Sequence, residues 1–342
     1  MDTRLAMRLT RSFMDQLEAD ITAHLDKDVA KNKEKLTGKL LEKYLIHIAK
    51  TKGVIKHKIL LNKTKSYLLA VTFDKFSYHP DLERKEKLLI GSIQHFGLKS
   101  KSERNPILFT ISHHCVQRIL ERTLYDGPQD QEDIRKAIYS EIDYLPIFTG
   151  TILNIELLAG LIDLDGSPID IRAVFNMMKD IPIMVPTKNG VLIGQVINTY
   201  IHIKTFLSDD MLSTENMAQK QRLMKYLDPF VDSHLIYWPK THECLKQSQI
   251  LSANVILDAL ALIMLDEIEL ALKRSTKIAT DKNKILTLFR LIRLQNSNPE
   301  LKKFVTDIFY NQQGESYEKL MLDFERHLIR NPQSYSTISS SA

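Results

Sequence analysis

The chain has 342 residues, of which 44% are hydrophobic and 26% are charged. This balance excludes a wholly disordered chain and predicts one large or two moderate globular domains. Glycine and proline number only 11 each. So few turn-forming residues favour long helices with short connections and argue against an all-β sandwich or barrel.

Cysteine content and hydropathy indicate the compartment. The two cysteines lie far apart in sequence, as is typical of a protein in the reducing cytosol. The first 30 residues carry charges at short intervals and lack the apolar core of a signal peptide. The most apolar stretch, 255–265, contains Asp258 and is too short to cross a bilayer. We therefore expect a cytoplasmic protein that does not contact a membrane.

Positive charge is concentrated near the N-terminus. Residues 31–65 include eleven lysines and two acids, a balance of 11 − 2 = +9, whereas the whole chain has a net charge of +5. Lysine at this density is typical of surfaces that bind polyanions through counterion release, and a solvated helix face is the alternative. The lysines expected to contact nucleic acid here are Lys31, Lys33, Lys35, Lys39, Lys56, Lys58, Lys63 and Lys65.

Hydrophobic periodicity and turn residues predict the elements of the N-terminal half. In chain order they are helices over 3–26 and 35–50, strands over 54–61 and 67–73, a short helix ending near Gly97, a polar loop over 99–106, a strand over 107–111, a helix from Ser112 to about Tyr125, and a helix over 131–144.

The clearest strand signal follows in the second half. Asn189-Gly190 lies between the apolar runs 183–186 and 191–197, which predicts a hairpin, and 200–206 adds a third strand. From Ser208 onward the pattern is helical, with predicted helices over 211–227, 249–275, 281–295, 299–312 and 315–330.

Together these elements predict an α+β fold that is predominantly helical, with a mixed central region, a small antiparallel sheet and a helical C-terminal domain. The predicted division is a basic helical N-terminal region over 1–66, a central α+β domain over 67–207, a helical C-terminal domain over 208–331 and a disordered tail over 332–342.

One short segment carries most of the chemistry. His114, Arg118 and Arg122 are spaced at i, i+4 and i+8, so a helix places all three on one stripe, with Ser112 as its cap. Three potential cations repel one another, and a bound phosphate would relieve that repulsion. The alternative is an amphipathic helix whose polar stripe is solvated and forms surface ion pairs with Glu121.

The spacing Ser112-x-His114-x-x-x-Arg118-x-x-x-Arg122 resembles the functional helix of bacterial ribonuclease toxins of the RelE/BrnT type, with Cys115 in place of an alanine. The resemblance implies a toxin-like ribonuclease of bacterial or mobile-element character, with an insertion between Pro128 and Pro182. It also implies a metal-independent transesterification of RNA, in which His114 transfers a proton and the two arginines hold the phosphate.

The later strands offer weaker candidates for the same site. These are Lys204, as a further nucleic-acid contact, and Thr187, His202 and Thr205. A regular strand would place His202 and Lys204 on one face and Thr205 on the other. No motif for a nucleotide or other cofactor is present, and no His/Cys pattern has the spacing of a metal site, so no cofactor or metal is expected.

Three hypotheses therefore remain open. The first is a nucleic-acid-directed protein, with RNA preferred to DNA, that acts as an endoribonuclease through His114, Arg118 and Arg122. The second is a nucleic-acid-binding protein without catalysis. The third is a helical interaction protein that forms a homo-oligomer or binds a protein partner through its C-terminal helices.

Overall fold

The computed structural model describes residues 1–32, 46, 54–61, 66–76, 88–97, 103–124, 130–160, 163–164, 167–168, 182–197, 200–228, 261 and 264–274. The helices are α1 (Thr3–Asn32), α2 (His113–Thr123), α3 (Gln131–Glu141), α4 (Leu145–Gly160) and α5 (Thr214–Leu227), and 264–274 is a further helical segment. The strands are β1 (Val54–Leu61), β2 (Ser66–Phe76), β3 (Leu88–Gly97), β4 (Glu103–Ser112), β5 (Asp163–Leu164), β6 (Ser167–Pro168), β7 (Ile183–Pro186), β8 (Gly190–Ile197) and β9 (Tyr200–Ser208).

Seven strands form one mixed sheet in the order β1-β2-β3-β4-β9-β8-β7, and β5 pairs with β6. The pairs are antiparallel except for β4 and β9, which run parallel. The predicted α+β class is confirmed. The predicted small antiparallel sheet is wrong in extent, because four strands that precede α2 join the same sheet. It is also wrong in direction, because β4 and β9 are joined through helices and run parallel.

Two predicted hairpins are confirmed, and one predicted helix is wrong. The β1–β2 and β7–β8 pairs match the predicted hairpins. The segment ending at Gly97, predicted as a helix, is strand β3, and β4 begins at Glu103 within the predicted loop. Both segments gain their hydrogen bonds from neighbouring strands, and such pairing overrides a weak local pattern.

Two of the predicted domain boundaries lie within the described residues and can be compared with the strands. The boundary at 66/67 falls within the β1–β2 hairpin, and that at 207/208 falls at the end of β9. The helix predicted over 35–50 lies outside the described residues except for Ile46, which is helical. The helices predicted over 281–295, 299–312 and 315–330 and the tail 332–342 also lie outside them, so the full division stays a prediction.

The centre of the sheet is buried on both faces. Consecutive residues of a strand point to opposite faces, and every residue of 109–112 and 200–203 is buried. Helices α2 and α4 both contact β4 and β9, and α1 packs against α2. The parallel pair is therefore the core of the described fold, as expected for parallel strands.

The described helical segment 264–274 packs against α5. Arg222 of α5 forms hydrogen bonds of 2.8 and 3.0 Å with the Glu267 carboxylate, and Gln219 donates to it at 2.9 Å. Leu265, Ile268 and Leu272 are buried. Among the helices described, none has the length and apolar character needed to cross a membrane.

Gly91 lies opposite Phe109 in the β3–β4 pair, and a Cβ added at Gly91 would lie 2.0 Å from the fully buried ring. We predict that Gly91→Ala lowers the free energy of unfolding by about 1–3 kcal/mol, because the ring must move within a packed core. Urea denaturation followed by circular dichroism would measure this change.

The matched control is Gly150→Ala in α4, where an added Cβ would meet nothing within 4 Å. This change should raise stability by up to about 1 kcal/mol, since alanine is the better helix former. Equal effects of the two substitutions would contradict the packing explanation.

Candidate functional site

Helix α2 begins where β4 leaves the sheet. The last parallel pair is Ile111–Ile203. Ser112 then accepts a hydrogen bond from the Cys115 backbone nitrogen at 3.0 Å and donates one to the Lys204 carbonyl at 2.8 Å. The predicted cap at Ser112 is confirmed, and it also joins the first turn of α2 to β9.

The predicted stripe exists, but its three side chains have different surroundings. His114 is exposed, and its Nε2 lies 3.5 Å from Nε of Arg118, whose side chain is 36% exposed. Arg122 is half-buried and donates to the Phe206 carbonyl of β9. His114 is therefore exposed, Arg118 is partly exposed beside it, and Arg122 is half-buried and binds the protein backbone.

The positive charge of the stripe is partly balanced by Glu121. An ion pair with Glu121 was the alternative to a bound phosphate in the sequence analysis. Its carboxylate accepts a hydrogen bond from Gln117 at 2.9 Å and pairs with Arg118 Nη1 at 2.7 Å. Burial raises the pKa of Glu121, but the hydrogen bonds from Gln117, Arg118 and Thr3 outweigh it, so the net shift is downward. Glu121 thus remains ionised and holds Arg118 without a bound anion.

Two other shifts limit the chemistry of α2. Burial lowers the pKa of Arg122, and the charge of Arg118 adds to this effect, although an arginine still stays protonated near neutral pH. Burial raises the pKa of the Cys115 thiol well above its usual range. A thiol in that state is a poor nucleophile, so Cys115 is a core residue.

Lys204 lies on a β-bulge. Ile193 pairs with Thr205 and Gly194 with Ile203, which leaves Lys204 without an opposite residue on β8. The expectation that His202 and Lys204 share one face is therefore wrong. Lys204 is exposed, whereas His202 is buried with its Nδ1 at 2.8 Å from the Thr110 hydroxyl.

The remaining candidates do not join this group in the described structure. Thr187 is buried and Thr205 is half-buried. Lys31 lies on α1 and Lys56 and Lys58 lie on β1, but the placement of their side chains is outside the description. The other predicted nucleic-acid contacts lie wholly outside the described residues, namely Lys33, Lys35, Lys39, Lys63 and Lys65.

A second polar cluster, which sequence analysis missed, holds the tip of the β7–β8 hairpin. The fully buried Glu141 carboxylate accepts hydrogen bonds from the Asn189 backbone and side-chain nitrogens. Lys220, also buried, pairs with Asp209 at 2.6 Å and donates to the Lys188 carbonyl at 3.3 Å. The Asn189-Gly190 sequence predicted the turn, but it did not indicate that Glu141 of α3 and Lys220 of α5 would bind it.

Comparisons of the chain with protein-family models, with curated proteins and with solved structures found no match. In the part of the chain that the structure describes, no three His, Cys, Asp or Glu side chains are grouped so that they could hold a metal ion.

We predict that Glu121→Gln lowers the free energy of unfolding by about 1.5–3 kcal/mol near neutral pH, because Arg118 loses an ionised partner. The pKa of Glu121 is lower in the folded chain, so this stability is present above the unfolded pKa of about 4.3 and is lost as pH falls through the folded pKa. The difference between parent and variant should therefore narrow in acid.

Urea denaturation as a function of pH would test this expectation. The matched control is Glu132→Gln, since Glu132 forms the same kind of i, i+3 pair with Arg135 but is 43% exposed. Its loss should cost no more than about 1 kcal/mol. A Glu121→Gln effect as small as the control, or one that grows in acid, would contradict the proposed charge balance.

Proposed function

We propose that the chain is a nucleic-acid-binding protein directed at RNA, and that His114, Arg118 and Lys204 contact the phosphate backbone. The observation that carries the proposal is that the exposed His114 and the partly exposed Arg118 lie side by side, 3.5 Å apart, on the helix whose cap is bonded to the Lys204 backbone. Cationic side chains of this kind supply most of the affinity for a polyanion.

Arg118 is suited to this role because it is already oriented. Its Nη1 is held by Glu121 while more than a third of the side chain remains open to solvent. A guanidinium has five donors, so the bond to Glu121 leaves others for a phosphate oxygen. Holding the side chain in one orientation also lowers the entropy lost when a ligand binds.

RNA is proposed rather than DNA because the motif resembles that of the ribonuclease toxins. The basic segment over 31–65 supports a polyanionic ligand of either kind. In the helical 264–274 segment Met264, Leu265, Ile268 and Leu272 are buried and Leu270 is exposed, so the described residues there form no continuous exposed apolar face that would favour the interaction-protein hypothesis.

A metal-independent ribonuclease is the second candidate, and the exposed His114 beside Arg118 is the observation that favours it. His114 would accept the proton of the ribose 2′-hydroxyl, the 2′ oxygen would attack the adjacent phosphorus, and the 5′ oxygen would leave with a proton from solvent. Arg118 would stabilise the charge on the phosphoryl oxygens. Arg122 is not proposed to take part directly, because its guanidinium is partly desolvated and faces the backbone of β9 at the Phe206 carbonyl.

The test is to incubate the protein with labelled single-stranded and structured RNA in EDTA and to score binding and cleavage separately. We predict that the parent binds RNA and that Arg118→Ala weakens binding about tenfold, which corresponds to a charge-assisted hydrogen bond. The slope of log affinity against log salt should fall by about 0.7 for a single strand.

Arg135→Ala is the control, since Arg135 also forms an i, i+3 pair with a carboxylate, on α3 outside the proposed site. Cleavage by the parent that His114→Ala abolishes would establish the ribonuclease, whereas binding without cleavage would establish the simpler function. Equal binding of a DNA strand of the same sequence would overturn the preference for RNA. RNA that is neither bound nor cut would overturn the whole proposal.

A further inference from the structure

The last residues of β9 lose their neighbour on one side. Strand β4 pairs with β9 only as far as Ile203 and ends at Ser112, while β9 continues to Ser208. Backbone carbonyls inside a fold require hydrogen-bond partners. The cap of α2 and one of its side chains supply two of them, since Ser112 donates to the Lys204 carbonyl and Arg122 donates to the Phe206 carbonyl.

The carbonyls of Lys204 and Phe206 lie on either side of Thr205, the residue that follows the bulge. Because Lys204 has no opposite residue on β8, the alternation of β9 changes at this point. Ile203 and Phe206 are fully buried, whereas Lys204 is exposed. The two ends of α2 thus bind β9 at and just beyond the bulge, and this contact defines the backbone from which the Lys204 side chain extends.

On the basis of the function proposed above, we infer that Arg122 is a positioning residue rather than a phosphate ligand. Its guanidinium is half-buried and bonded to the Phe206 carbonyl. By fixing β9 beyond the bulge, Arg122 holds Lys204 where it can bind the same phosphodiester backbone as His114 and Arg118. The third member of the predicted stripe therefore acts through Lys204.

A double-mutant cycle tests this inference through RNA affinity and its salt dependence. Lys204→Gln should weaken binding about tenfold and reduce the salt slope by about 0.7 on single-stranded RNA. Arg122→Gln should also weaken binding, but the double variant should bind no more weakly than Lys204→Gln. Lys136→Gln, an equal charge change at an exposed position on α3, should leave both affinity and slope unchanged.

If the affinity loss of the double variant is the product of the two single losses, and its salt slope falls as expected for two lost phosphate contacts, Arg122 binds phosphate itself. That result would overturn the inference while leaving RNA binding intact. A parent protein that does not bind RNA would instead overturn the proposed function. Thermal unfolding would check that each variant is folded. If Arg122→Gln does not fold, Arg122→Lys keeps a donor for the Phe206 carbonyl, and Lys204→Gln should then cost as much affinity in that background as in the parent.

Discussion

The arrangement of this protein around α2 depends on one constraint, the hydrogen bonding of β9 where β4 ends. A strand in the middle of a sheet has partners on both sides, but the parallel pair stops at Ile111 and Ile203. Helix α2 starts immediately afterwards and lies against β9, so its polar side chains replace the missing strand. The same contact that completes the backbone bonding also fixes on β9 the helix that carries His114 and Arg118.

Charge in this region is balanced within the protein. Three cationic positions on one helix would repel one another if no opposite charge lay between them, and a bound anion is one way to relieve that repulsion. Instead, Glu121 neutralises Arg118 and the Phe206 carbonyl binds Arg122. A ligand is thus not needed to stabilise the helix, and any phosphate must interact with a site whose orientation is already set.

Buried polar contacts have a comparable role at the β7–β8 turn, beside the end of β9. The turn between β7 and β8 is held by the carboxylate of Glu141 and, through its backbone, by the ammonium of Lys220. Each buried charge has a hydrogen-bonding partner, as burial of a charge requires. The β7–β8 hairpin, which pairs with β9, is therefore bound at its turn by two helices, α3 and α5.

Local interactions were determined by the sequence alone. The cap at Ser112, the common stripe of His114, Arg118 and Arg122, and the Asn189-Gly190 hairpin each depend on residues within a few positions of one another. Segment β3 was predicted wrongly because its strand state depends on two neighbouring strands, and the bulge at Lys204 could not be seen because it depends on register with β8. Only the tertiary structure decided that Arg122 binds the backbone of β9, because its partner lies 84 residues away in sequence.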